Sequence, residues 1–203
     1  MKKYLIEFIG AFFLVLTIAL TGNPIAIGFV LTVLVYMGGY ISGAHYNPAV
    51  TLAMLLTGKI GQSEAIKYVI AQLLGGLAAA GIFYFIDGSN FVPAIAVDAS
   101  WSSAFILEVL FTFLLAHVIL NVAATERTKG NDYFGLAIGM TVLVGAFAAG
   151  PISGGVFNPA VAIGPMLVDM GRIGAHLNDL IIYIIAQSLG AALAATVYKV
   201  KFV

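Results

Sequence analysis

The chain has 203 residues, of which 9 are Lys or Arg and 9 are Asp or Glu, so 9% of it is charged, where a soluble domain averages about 25%. The apolar fraction is 62%, the net charge is +0 without any basic stretch, and cysteine is absent. These values exclude a soluble enzyme domain, a disordered regulator, a nucleic-acid binder, a disulfide scaffold and a Cys-ligated metal site, and leave an integral membrane protein.

At about 20 residues per span, this length allows six or seven helices with short loops. In chain order, apolar stretches at 4–21, 25–42, 64–86, 104–124, 133–150 and 178–198 predict six spans. The first follows Lys2-Lys3 and resembles a secretory leader, but Glu7 interrupts it, no small-x-small cleavage site follows, and a similar segment recurs at 106–120. It is read as a span. Two further stretches, 47–57 and 158–169, are too short to cross and fall in the length range of re-entrant segments. Lys2, Lys3, Lys59, Lys67, Arg127, Lys129, Lys199 and Lys201 fall on one side of a six-span arrangement and Arg172 on the other. The positive-inside rule then predicts cytoplasmic termini, in a plasma or inner cell membrane.

Residues 26–50 set against 137–161 give 12 identities in 25, including Ser42-Gly43 with Ser153-Gly154. IAQLLGGLAAA (70–80) matches IAQSLGAALAA (185–195), and Leu5-Ile6-Glu7 lies against Ile106-Leu107-Glu108. One channel-like domain over 1–203 is therefore read as two copies, about 1–86 and 101–203, joined by the loop 87–100. Three crossings per copy are an odd number, so the second copy enters from the opposite face. Inverted repeats of this kind place a substrate path at the midplane, where broken helices expose backbone groups.

Each short segment begins Asn-Pro-Ala-Val, at Asn47-Pro48-Ala49-Val50 and Asn158-Pro159-Ala160-Val161. Asn is a favoured N-cap and Pro suits the first helical position, so each tetrad reads as a helix start. A segment of this length rises about 16 Å, half the ~30 Å hydrocarbon thickness, so two of them meet tip to tip. At that point the positive ends of both helix dipoles face each other, and Asn47 and Asn158 can offer side-chain N–H donors. The preceding stretches, Gly43-Ala44-His45-Tyr46 after Ser42 and Gly154-Gly155-Val156-Phe157 after Ser153, are expected to line the path with carbonyl acceptors. Acceptors, two central donors and apolar walls suit small neutral hydrogen-bonding solutes and repel cations.

With SGAHYNPAVT (42–51) and SGGVFNPAVAIGP (153–165), and Glu7 and Glu108 in the first span of each half, the chain resembles the aquaporin or major intrinsic protein family along its full length. The resemblance implies an all-α membrane fold of six transmembrane helices plus two re-entrant half-helices. It also implies a homotetramer with one pore per protomer and water and small uncharged solutes as cargo; beside it, three scattered histidines without cysteine make no metal site, the residues offer no nucleophile, base and metal constellation for an enzyme, and no cofactor is expected. Carried over by spacing, the family's selectivity filter falls on Ile27, Ala146, Gly155 and Val161. The family's usual arginine is replaced by Val161. No side chain in this set is charged, aromatic or a donor, which implies a wide, apolar filter that admits glycerol or metalloid acids such as arsenous acid together with water.

Glu7 and Glu108 are expected to brace the re-entrant loops by accepting backbone N–H bonds, with a proton relay as the other reading. In the family, a histidine at the place of His45 stabilises its loop. His117 reads as a hydrogen-bonded packing residue in the fourth span, and His176 falls in an exposed loop. Gly28, Gly75, Gly139 and Gly190 are expected to allow close helix crossings, and Gln72 and Gln187 to bond across helices. A water-selective pore, a coupled secondary transporter and a structural junction protein are the competing functions.

Overall fold

The computed structural model describes residues 1–169, 171 and 173–200. Arg172 and Lys201, both used above to orient the chain, lie outside the described residues. Among those described, all regular structure is helical.

Local sequence sets most of the helix ends. Helix α1 (Lys2–Thr21) stops at Gly22, whose φ of 53° is the left-handed conformation that ends helices and that glycine adopts without Cβ strain. Helix α2 (Pro24–Ser42) starts on Asn23, whose side chain accepts from the amides of Ile25 and Ala26, with Pro24 in the first turn. It ends at Gly43. After the short α3 (Pro48–Leu56) come α4 (Gln62–Asp87) and, beyond the irregular 88–100, α5 (Trp101–Val122), capped by the Ser100 side chain on the Ser103 amide. A single 3₁₀ turn, Glu126–Thr128, precedes α6 (Phe134–Ser153). The short α7 (Pro159–Val168) and the long α8 (Ile173–Lys199) complete the chain.

Six of these helices are long and apolar enough to cross a membrane, in agreement with the six predicted spans. Their outward faces carry large apolar side chains such as Phe13, Phe29, Val33, Ile70, Leu110 and Val144, as expected for a surface solvated by lipid. The span ends lie within three residues of the predicted ones except at the start of α8. Helix α8 begins at Ile173, five residues before the apolar stretch at 178–198, because His176 and Asp179 find partners. The His176 ring stands 3.6 Å from the Asp169 carboxylate, and Asp179 accepts from the Ile95 amide at 3.3 Å. His176 is therefore a helical residue, its side chain 20% exposed, and not part of an exposed loop. Helix α6 continues through Pro151 to Ser153, closing on Gly154.

Packing follows one scheme in both halves. Helix α1 lies along α4 and next to α2, α5 lies along α8 and next to α6, and α2 meets α6 between the halves. The short helices exchange: α3 packs on α8 and α7 packs on α4, so each half holds the other's half-helix. Glycines set the closeness of these crossings. A Cβ on Gly75 would lie 2.5 Å from the Phe8 carbonyl oxygen, and one on Gly190 would lie 2.5 Å from that of Val109. A Cβ on Gly28 would come 2.8 Å from the Gly139 oxygen, and Gly139 itself packs on Thr32 and Gly28 of α2. Any side chain there would force the backbones apart.

Candidate functional site

The short helices α3 and α7 point their N-termini at each other. Asn47 caps α3 with its Oδ1, accepting from the amides of Ala49 at 2.8 Å and Val50 at 3.4 Å. Asn158 caps α7, accepting from the Ala160 amide at 2.9 Å. With each oxygen turned into its own helix, each Nδ2 faces away. Asn47 Nδ2 donates to the Phe157 carbonyl at 2.8 Å, and Asn158 Nδ2 donates to the Tyr46 carbonyl at 3.0 Å. Each amide therefore gives one of its two Nδ2 hydrogens to the opposite loop. This halves the donor capacity expected from the sequence.

Both preceding loops carry left-handed residues at equivalent places: Gly43, Ala44 and Tyr46 in the first, Gly154, Gly155 and Phe157 in the second. For Ala44, Tyr46 and Phe157 this conformation costs on the order of 1–3 kcal/mol each, and such strain persists only where the surroundings enforce it. Two buried carboxylates do so. Glu7 Oε1 accepts from the Ser42 hydroxyl at 2.6 Å and the His45 amide at 3.0 Å. Its Oε2 accepts from the Tyr46 amide and from Gln72 Nε2, both at 2.7 Å. Glu108 repeats the pattern with the Ser153 hydroxyl at 2.8 Å, the Val156 amide at 2.9 Å, the Phe157 amide at 2.8 Å and Gln187 Nε2 at 2.9 Å. Both side chains are fully buried. Every one of these contacts is a donor to the carboxyl group, so each carboxylate links its loop to a neighbouring helix.

Two tyrosines complete the scaffold. Tyr68 on α4 donates to the Ser42 carbonyl at 2.8 Å, and Tyr183 on α8 donates to that of Ser153 at 2.7 Å. The sequence reading passed over both, although they stand at the same 115-residue offset that aligns Gln72 with Gln187. In the first half only, Thr51 adds a further link: it lies 3.1 Å from His45 Nδ1 and accepts from Gln72 Nε2 at 2.9 Å. His117 is not tied in this way. Its ring stacks on Phe113 with centroids 5.4 Å apart, and its buried Nδ1 has no hydrogen-bond partner.

A cavity of about 470 Å³ passes the two helix tips. Along α6 its wall runs from Ile138 to Pro151, a rise of about 20 Å at 1.5 Å per residue. Asn47 and Asn158 border it at the tips, with Ala44, His45, Gly154, Val156 and Phe157 of the loops. Gly43 and Tyr46 lie off its wall: Gly43 caps α2, and the Tyr46 ring fills the space left by Gly10 and Gly38, with its hydroxyl on the Leu34 carbonyl. The Tyr46 and Phe157 carbonyls each take an asparagine amide. With Gly43 and Tyr46 off the wall, the run of loop residues along it is shorter than the sequence suggests. Leu14, Leu31, Val50, Leu115 and Ile119 make the remaining wall apolar.

Ile27, Ala146, Gly155 and Val161 all border this same cavity. Gly155 adds only backbone there. With φ at 62°, its Cβ position would fall 3.2 Å from Gly150 Cα and 3.3 Å from Ala146 Cα, against α6. None of these four side chains supplies a charge or a hydrogen-bond donor, and Val161 is packed into the core beside Val156, Ala162 and Tyr183.

Comparison with known proteins agrees with this geometry. Residues 1–198 match the family model described as major intrinsic protein. The chain is 39% identical to "Glycerol uptake facilitator protein-like 6" of Lactiplantibacillus plantarum, covering 96% of this chain and 95% of that protein. It is 34% identical to Nodulin-26 of Glycine max over 98% of this chain and 78% of that one. The solved structure of the aquaglyceroporin from Plasmodium falciparum superposes with a TM-score of 0.83 at 20% identity, covering 98% of this chain and 95% of that chain, a likeness of fold. The chain belongs to the major intrinsic protein family, and it is an integral membrane protein that forms a passive channel for small solutes.

Proposed function

We propose that the cavity is the permeation path of a wide-filter channel passing small neutral polyhydroxylated solutes, glycerol and arsenous acid among them, with water following. One observation carries this reading: Ile27, Ala146, Gly155 and Val161 border the path together and contribute neither charge nor side-chain donor. An arginine at 161 would narrow the bore, desolvate part of the solute's hydroxyls in exchange for its own donors, and place a fixed positive charge against cations. With valine there, the remaining donors are the free hydrogens of Asn47 and Asn158, at the junction of the two helix N-termini. A neutral polyol exchanges water hydrogen bonds for these donors and for the loop carbonyls of Ala44, His45, Gly154 and Val156. A cation meets the positive ends of both dipoles. The name of the Lactiplantibacillus plantarum relative, a glycerol uptake facilitator-like protein, points the same way.

In this reading 1–203 acts as one unit of two inverted copies joined by 87–100, both termini are cytoplasmic, and four copies assemble with one path each. The basic residues Lys2, Lys3, Lys59, Lys67, Arg127 and Lys129 support the orientation. A coupled carrier is disfavoured because Glu7 and Glu108, the carboxylates at the level of the helix tips, are spent on loop bracing. The test is stopped-flow entry of water, glycerol and arsenous acid into one proteoliposome preparation. The wild type is expected to pass all three, and Val161→Arg to lower glycerol entry about tenfold with a smaller effect on water. Equal effects on both solutes would sink the wide-filter reading.

A further inference from the structure

The segment 88–100, which joins the two halves, has no regular structure and yet is firmly held. Asn90 Nδ2 donates to the Asp169 carboxylate at 2.9 Å, the Ile95 amide donates to Asp179 at 3.3 Å, and the Ala96 amide donates to the Ile152 carbonyl at 3.1 Å. These bonds tie the strap to the end of α7, to α8 and to the last turn of α6. Its side chains divide between two environments. Val92 and Ile95 pack into the same apolar cluster as Val156 and Val161, whereas Phe91 and Pro93 border the cavity. The Phe91 ring stands edge-on to Phe83 of α4, with centroids 6.3 Å apart at 76°.

On the reading of the cavity as the permeation path, we infer that Phe91 is a specificity-determining residue of this channel, a wall supplied by the connecting strap and not by either repeat. The four filter positions supply only small or aliphatic groups. Phe91 is a rigid aromatic side chain lining the same cavity, held edge-on by Phe83 and anchored by its strap on both sides. Its ring limits the cross-section that a solute must clear and offers an apolar face to the C–H side of a polyol. Water is too small to be limited by it. A four-carbon polyol is not.

The test compares entry of water, glycerol and erythritol into proteoliposomes holding the full chain, as wild type and as Phe91→Ala, Phe91→Leu and Val92→Ala. Phe91→Ala is expected to raise the erythritol-to-glycerol rate ratio about threefold or more while water entry stays within about twofold, with Phe91→Leu in between. Val92→Ala, on the opposite face of the strap, is expected to leave the ratio as in the wild type. An unchanged ratio in Phe91→Ala with water entry intact overturns the inference and leaves the channel reading standing. So does an equal shift in Val92→Ala, which would assign the effect to strap displacement. If Phe91→Ala fails to insert, a wild-type ratio in Phe91→Leu overturns it equally. A wild type that passes water but neither polyol overturns the wide-filter reading and this inference together.

Discussion

The two re-entrant loops hang on the same scaffold and differ in what reinforces it. Each has a buried glutamate that accepts from a serine, two loop amides and a glutamine, and each has a tyrosine on its first serine's carbonyl. Around 43–47, His45, Thr51 and Gln72 add a second tier of polar links. Around 154–158 the corresponding places hold Val156 and Ala162, Gln187 Oε1 has no partner, and the loop leans instead on an apolar cluster with the strap's Val92 and Ile95. The lesson is that one backbone conformation can be enforced in two ways. Polar cross-bracing makes the first loop redundant in its support, while the second has only the shared glutamate, glutamine and tyrosine links and leans on packing. The second loop is also the one that carries Gly155 and leads into Val161, so the apolar reinforcement and the apolar filter positions are neighbours in one segment.

The largest expected break in this comparison comes from the glutamates. Replacing a carboxylate oxygen by an amide nitrogen sets a donor against loop N–H donors in a dry site, a loss of about 3 kcal/mol for hydrogen bonds to a charged group. Glu108→Gln is expected to lower the melting temperature of detergent-solubilised protein more than Glu7→Gln does, because Thr51 and His45 back up the first loop. Equal shifts would mean that the polar tier adds nothing. Next in size is Thr51→Ala, which removes the partner of His45 Nδ1 and one of the two acceptors of Gln72 Nε2. A loss of about 1–2 kcal/mol is expected from the same thermal measurement, with the glycerol-to-water ratio retained. A changed ratio would place the polar tier in the permeation path. The smallest effect sharpens the comparison from the other side. Ala44 has φ of 52°, and its counterpart Gly155 already relieves that strain. Ala44→Gly is expected to raise stability by no more than about 1 kcal/mol, because the glycine also loses more backbone entropy on folding. A loss would show that the Ala44 methyl packs more than its backbone strains.

The elements that were legible in the sequence are those written in short windows. Hydropathy over about 20 residues marked the spans, and Asn-Pro marked the starts of α3 and α7, because a cap acts on amides two or three residues away. The internal repeat made Glu7 and Glu108 stand out as a pair. It held the signal for Tyr68 and Tyr183 too, which went unread because tyrosine in an apolar helix looks like packing until its hydroxyl finds a carbonyl. His176 and the start of α8 were misread for a related reason. Polar side chains ended the apolar stretch, and only their partners, Asp169 across the turn before α8 and Ile95 far away in sequence, accommodate them in the helix.

By itself, then, the sequence determined the membrane solvent, the six spans, the two half-helices and the family, because each follows from local hydropathy, local capping or internal repetition. Tertiary structure decided what the path offers a solute. Asn47 reaches Phe157 and Asn158 reaches Tyr46 across 110 and 112 residues, so only the assembled chain reveals that each amide gives one hydrogen to the opposite loop. The same holds for Phe91. Nothing in a loop between repeats announces that its ring borders the cavity. That position is fixed by three hydrogen bonds and an apolar cluster that do not exist until α6, α7 and α8 have closed around the strap.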